Sequence, residues 1–323
     1  MISFDFEYYR PQSITNAADI FQTLEESGKN PVFYAGGTEI ISMARMSSIT
    51  TGAVIDVKEI PKLKAMEFNG DDLVIGAGVT LTQIHEANLF PLLAQACARV
   101  ADHTIQNKIT LGGNLCGTII YREAVLPLLL TNAYLVIASV KNARRVPINE
   151  VFSKRMQLNR GELLVQVHIP RNYVSCPYVH VKRTKEDKIH YPLLTVCALL
   201  TDNQVRAAFS GLVNFPFRSI EMEEALNDIN LTLEQRVEQA LNKLPATVPD
   251  NLEGSAGYRT FILKHLLTSI VNELETGNVT NSERKFDRIT YKWRNQKSPG
   301  TTFRYTAFFL KRAIGTDRSQ TRL

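Results

Sequence analysis

Cysteine is scarce. Cys97, Cys116, Cys176 and Cys197 are the whole complement of a 323-residue chain, with no CxxC pair and no histidine at a ligand spacing from any of them. An iron–sulfur cluster or structural zinc needs clustered thiolates or imidazoles, so this chain should hold neither. Each cysteine has apolar or small neighbours and reads as a buried small hydrophobe, with no disulfide expected. Long apolar runs are also missing. Ala124 to Leu130 and Leu193 to Leu200 fall well short of the ~20 residues that cross a bilayer. The first ten residues carry acids where a signal peptide needs a basic region and then an apolar one, so a cytoplasmic chain without membrane contact is expected. Hydrolytic signatures are absent: His85, His103, His168, His180, His190 and His265 form no HExxH or HxH, and there is no GxSxG. These histidines read as surface or locally satisfied side chains. No GxGxxG or GxxxxGK[ST] occurs, which removes the Rossmann dinucleotide site and the P-loop.

What is present is enough apolar surface, 44% of residues, for about two packed domains, with 21% charged residues arguing against disorder. The net charge of +5 is unevenly placed. Residues 279–323 hold eleven Lys/Arg against Glu283, Asp287 and Asp317, whereas the remainder has 26 basic against 29 acidic residues. A mildly acidic body therefore carries a basic tail.

Periodicity predicts a helix from Ser13 to Lys29, with Ser13 or Thr15 as cap and Gly28 as stop, followed by a β-prone run from Pro31 that breaks at Gly36-Gly37. Val54–Val57 and Leu73–Gly76 read as strands, with an Asn69-Gly-Asp-Asp72 turn between them. The pattern is helical from Thr80 to His103, is interrupted at Gly112-Gly113, and resumes as a buried helix over 123–131. Strands are expected at 134–140, 163–170, 178–183, 193–200 and 205–212, then helices at 220–227, 232–244 and 258–274. The proline-bearing stretch Pro170–Pro177 is the natural domain boundary.

Two glycine pairs stand out because glycine lets backbone N–H groups turn toward an anion without a Cβ in the way. Flanked by Thr38, Thr110 and Asn114, Gly36-Gly37 and Gly112-Gly113 together are suited to a diphosphate, although either pair alone reads as a tight turn. The ordered set Tyr8-Tyr-Arg-Pro11, Ala35-Gly-Gly-Thr-Glu-Ile40, Ile75-Gly-Ala-Gly78 and Thr110-Leu-Gly-Gly-Asn114 continues through Gly161-Glu-Leu-Leu164, Ile169-Pro170, Arg206-Ala-Ala-Phe-Ser-Gly211, Pro216-Phe-Arg218 and Tyr258-Arg259. Over about residues 5–277 it resembles the FAD-binding medium subunit of the molybdenum hydroxylases, the xanthine dehydrogenase and carbon monoxide dehydrogenase group.

The resemblance implies an α+β chain. A PCMH-type FAD-binding domain of two α/β lobes would span 1–175 and an antiparallel sheet-plus-helices domain 176–278, with the tail 279–323 unassigned. It implies noncovalent FAD, its diphosphate wrapped by Phe33, Tyr34, Ala35, Gly36, Gly37, Thr38, Glu39 and Ile40 on one side. Thr110, Leu111, Gly112, Gly113 and Asn114 would wrap it on the other. It points to Glu123 as the acidic cofactor ligand, where relatives commonly have Asp, to Leu164 and Lys182 near the flavin, and to Tyr191 as an aromatic cover. His180 and His190 lie close to the implied flavin strands. Relatives often have arginine where this chain has Gln106, a lost positive charge for which Lys108 is the local substitute. The resemblance further implies a small [2Fe–2S] subunit and a large molybdopterin subunit as partners, with NAD+ or another acceptor taking the electrons. The alternatives are a free-standing FAD oxidase of the vanillyl-alcohol oxidase superfamily, for which little room remains for a substrate cap, and a flavin-free protein using the tail on nucleic acid.

Overall fold

The computed structural model describes residues 2–185 and 191–277. The tail 279–323 and His190 lie outside them.

The chain opens with a three-stranded parallel sheet in the order Glu7–Tyr9, Ala53–Asp56, Val32–Tyr34. Parallel neighbours need crossover connections, and the first is the expected helix, observed at Ile14–Glu26. Ser13 caps it by accepting from the Asn16 N–H, and Ala17, Ala18, Phe21 and Leu24 form its buried stripe. Ala53–Asp56 is buried throughout, as a parallel strand covered on both faces must be. The carboxyl ends of all three strands share one edge, from which Ala35–Gly37 and Val57–Lys58 leave the sheet.

A five-stranded antiparallel sheet follows, ordered Met66–Asn69, Asp72–Gly76, Leu163–Pro170, Tyr134–Ala138, Ala143–Pro147. Its middle strand, Leu163–Pro170, joins the two lobes. Leu163 and Val165 pack with Phe21, Ile55 and Leu63 of the parallel lobe. Leu164, Val167 and Ile169 pack with Leu92, Leu93 and Leu126 of the helices Pro91–Ala98 and Val125–Leu130. The change from even to odd numbering on the helix side coincides with a register shift between Leu164 and Gln166, where one extra residue turns the side-chain alternation over.

The last sheet is antiparallel, ordered Tyr178–Thr184, Pro192–Thr201, Gln204–Ser210, Phe217–Arg218. Helices Ile220–Leu226, Leu233–Leu241 and Ala256–Glu275 cover one face. Cys197, Leu199 and Ala208 on the other face join the core of the antiparallel lobe, so Pro192–Thr201 is apolar on both sides and reads as an unbroken run. Arg206 donates to the Leu130 carbonyl (2.9 Å) and Arg218 to that of Leu129 (3.0 Å). Both carbonyls lie in the last turn of Val125–Leu130, where positive charge is favoured.

The stretch after Gly36-Gly37 is a helix, Thr38–Arg45, for which the sequence offered no element. Two local expectations change. Gly112-Gly113 lies in the first turn of a six-residue helix, Leu111–Cys116, because Thr110 caps it and outweighs the low helix propensity of glycine. Cys97 and Cys197 are buried, but Cys176 is half-buried and Cys116 exposed. Among the described residues no helix is long and apolar enough to cross a membrane.

Candidate cofactor site

The first glycine segment begins where Val32–Tyr34 ends. Phe33 packs against Phe21 with ring centroids 4.8 Å apart, which ties the strand to the first helix. Gly37 is left-handed at φ 72° and occupies the N-cap of Thr38–Arg45, with Thr38, Glu39 and Ile40 forming the first turn. A Cβ on Gly37 would run into the Tyr34 ring beneath it. The Lys58 ammonium lies 4.4 Å from the centre of that ring, donates to the Ala35 carbonyl (3.3 Å) and pairs with Asp56 (2.6 Å). Burial works against the Asp56 charge, yet hydrogen bonds from Lys58 and the Tyr8 hydroxyl outweigh it and hold the carboxyl below the usual aspartate range.

The second segment hangs from the central strand through a short ladder. Ala77 donates to the Val165 carbonyl, Gly112 to that of Ala77 and Leu111 to that of Val79, each at 2.8 Å. Gly112 is pressed against Ala77, where a Cβ would approach within 2.7 Å of the alanine methyl. The Thr110 hydroxyl accepts from the Gly113 N–H at 3.1 Å.

The two segments meet. Gly36 lies so close to the second segment that a Cβ would overlap the Lys108 carbonyl. Glu39 reaches across to the end of the Leu111–Cys116 helix, where its carboxylate accepts from the Thr118 N–H (2.7 Å) and the Thr118 hydroxyl. Asn114 Oδ1 is buried and has no hydrogen-bond partner among the described residues. Gln106 turns inward and donates to the Ala98 and Ala101 carbonyls at 3.0 Å each, while Lys108 is exposed.

A second group forms where the antiparallel lobe meets the last sheet. Glu123 and Lys182 pair at 2.8 Å with side chains only 4% and 2% exposed. Thr195 donates to the other Glu123 oxygen (2.6 Å) and Lys182 to the Arg99 carbonyl (2.6 Å), so the pair is well hydrogen-bonded. Tyr191, 55% exposed, stacks on Tyr121 with centroids 4.8 Å apart, two residues before Glu123. Leu164 stands at the bulge beside Val165, the residue from which the second glycine segment is suspended.

Thus residues 33–40 and 110–114 make one unit, and Glu123, Lys182 and Tyr191 another, with Leu164 on the strand between them. Lys58, Thr118, Thr195 and Tyr121 were not singled out from sequence. Lys58 alone had a readable signal, a basic residue just past the carboxyl end of a predicted strand.

A family profile described as the FAD binding domain in molybdopterin dehydrogenase matches residues 4–172. The chain is 28% identical over 279 residues to the nicotine 6-hydroxylase medium subunit of Paenarthrobacter nicotinovorans, covering 82% of this chain and 96% of that one. It is 24% identical to the xanthine dehydrogenase FAD-binding subunit of Escherichia coli O157:H7, covering 84% and 96%. Among solved structures, carbon monoxide dehydrogenase from Hydrogenophaga pseudoflava, lacking the Mo-pyranopterin moiety, superimposes with a TM-score of 0.75 at 21% identity, covering 84% of this chain and 98% of that one. The shared α+β fold and the profile match over more than half the sequence place the chain in the family of FAD-binding domains of molybdopterin dehydrogenases.

Proposed function

We propose that the chain is the FAD-binding medium subunit of a molybdenum hydroxylase or dehydrogenase, acting in the cytoplasm with a small [2Fe–2S] subunit and a large molybdopterin subunit. The observation that carries this reading is the locked pair of glycine segments. Gly37 offers no side chain to cap Thr38–Arg45, so the first N–H groups of that helix lack a side-chain acceptor that a phosphate oxygen would supply. The orphan Asn114 Oδ1 calls for a donor, as a ribityl or ribose hydroxyl would provide. On both counts the residues fit the cofactor. Bound FAD would supply two-electron redox chemistry between one-electron [2Fe–2S] clusters on a partner and NAD+ or another acceptor.

In this reading residues 33–40 and 110–114 hold the diphosphate and orient it through backbone donors. Glu123, Lys182, Leu164 and Tyr191 bound the flavin end. Residues 1–175 form the flavin domain and 176–278 the second domain, a division supported by the change from one sheet to the next after Pro170.

The test begins with the absorption spectrum of the purified chain. FAD at about one per chain is expected, with occupancy reduced in Gly36→Val, whose side chain would drive the two segments apart. Co-expression with small and large subunits should be required before an N-heterocycle or aldehyde bleaches the flavin. Bleaching of the lone chain by such a substrate would instead indicate a free-standing oxidase.

A further inference from the structure

The carboxyl edge of the parallel sheet emits two things side by side, the Ala35–Gly37 turn and the residues Asp56-Val57-Lys58. Ligands of open parallel sheets settle at this edge, because strands end and helices begin there with backbone groups unpaired. The glycine segments 33–40 and 110–114 contribute dipoles to such a ligand but no cation.

Lys58 is held in place to contribute one. Its ammonium is anchored by Asp56 (2.6 Å) and the Ala35 carbonyl (3.3 Å), and it covers the same Tyr34 ring that supports Gly37 from below. Asp56 is itself fully engaged. One oxygen takes the Tyr8 hydroxyl and the Lys58 ammonium, and the other takes the Lys58 backbone N–H at 3.0 Å. With its side chain 4% exposed, Asp56 works as a buried anchor rather than as a free charge at the surface. An ammonium has three donors. Two are used by the protein, beside the Tyr34 ring, and the Lys58 side chain stays 41% exposed and open to an anion.

We propose that Lys58 provides the cation for the diphosphate of FAD at the first glycine turn, with Asp56 and Tyr8 fixing its position. The inference rests on the flavoprotein reading above and extends it to a residue outside both glycine segments. A charge-assisted contact to a phosphate at a partly exposed site should strengthen binding about tenfold at low salt and fade as salt screens it.

The experiment is a fluorescence titration of the full-length apoprotein with FAD, and separately with riboflavin, across a series of KCl concentrations. Lys58→Met should weaken FAD binding about tenfold at low salt, with a shallower salt dependence than the wild type and unchanged riboflavin affinity. Lys58→Arg should retain most of the FAD affinity, and melting of each apoprotein reports whether the fold survives. Equal FAD affinity and salt slope in wild type and Lys58→Met would overturn the proposal, as would parallel losses of FAD and riboflavin. Wild-type apoprotein that bound neither flavin would overturn the flavoprotein reading itself, an outcome distinct from either.

Discussion

His180 stands on Tyr178–Thr184 opposite Cys197, half-buried as a residue but with its Nε2 shut from solvent and without a partner among the described residues. Burial first, then the cations Arg99 and Lys182, push its pKa down to about 3. The unfolded chain, with an ordinary histidine near 6.5, binds a proton between these limits that the folded chain refuses. Stability is therefore complete above about pH 6.5 and falls as the pH drops toward 3, by up to ~1.4 kcal/mol per pH unit from this group. His180→Gln should flatten the melting temperature against pH between about 6 and 4. An unchanged slope would mean that the folded ring accepts the proton after all. Arg259 shows a different use of a polar residue. It is buried at 1% exposure, donates to the Leu193 and Gly211 carbonyls and to Asn251, and so closes the backbone where the last helix meets the sheet. The Tyr258-Arg259 motif is thus explained at Arg259 by these backbone contacts.

Between elements, the Glu123–Lys182 pair connects the turn before Val125–Leu130 to the strand Tyr178–Thr184. Removing one member strands a charge that has lost its water, so Lys182→Met should cost about 3–5 kcal/mol in chemical denaturation. Glu123→Gln with Lys182→Met should recover a large part of that cost. Additive losses would show that the two side chains do not depend on each other. The central strands Leu163–Pro170 and Pro192–Thr201 were legible because they are long, apolar and buried. The edge strands were not. Met66–Asn69 is mostly exposed and four residues long, and Ala143–Pro147 carries Arg144 and Arg145, so neither shows an apolar run. Thr38–Arg45 escaped because two β-branched residues, Ile40 and Ile41, follow a glycine pair and weaken the helical signal. The glycine segments were visible as composition. Their union through Glu39 and Thr118 depends on side chains 79 positions apart, which no local pattern encodes.

At the scale of the molecule, the last sheet is fastened to the flavin-family lobe by arginines that reach the last-turn carbonyls of one helix. Arg218 is the stronger fastening, since it also donates to Asn132 (2.7 Å) and makes a two-point pair with Glu223 (2.7 and 2.8 Å). Arg218→Ala leaves Glu223 buried without its cation and takes one donor each from the Leu129 carbonyl and Asn132. A loss of about 3 kcal/mol or more is expected, read as earlier unfolding of residues 192–277 in hydrogen exchange. Simultaneous unfolding of the whole chain in that variant would show that the two parts are one cooperative unit.

The position of Leu163–Pro170 between Asp72–Gly76 and Tyr134–Ala138 also has a consequence for biosynthesis. The two flanking strands leave the ribosome before the strand that separates them, and during that interval each offers an unpaired edge. Because they are not partners of each other in the finished sheet, any pairing between them must be undone when residue 163 emerges. The order of translation therefore makes this one strand the step at which nascent chains divide between completing the sheet and aggregating through its open edges, and slowing synthesis just before it should raise the aggregated fraction.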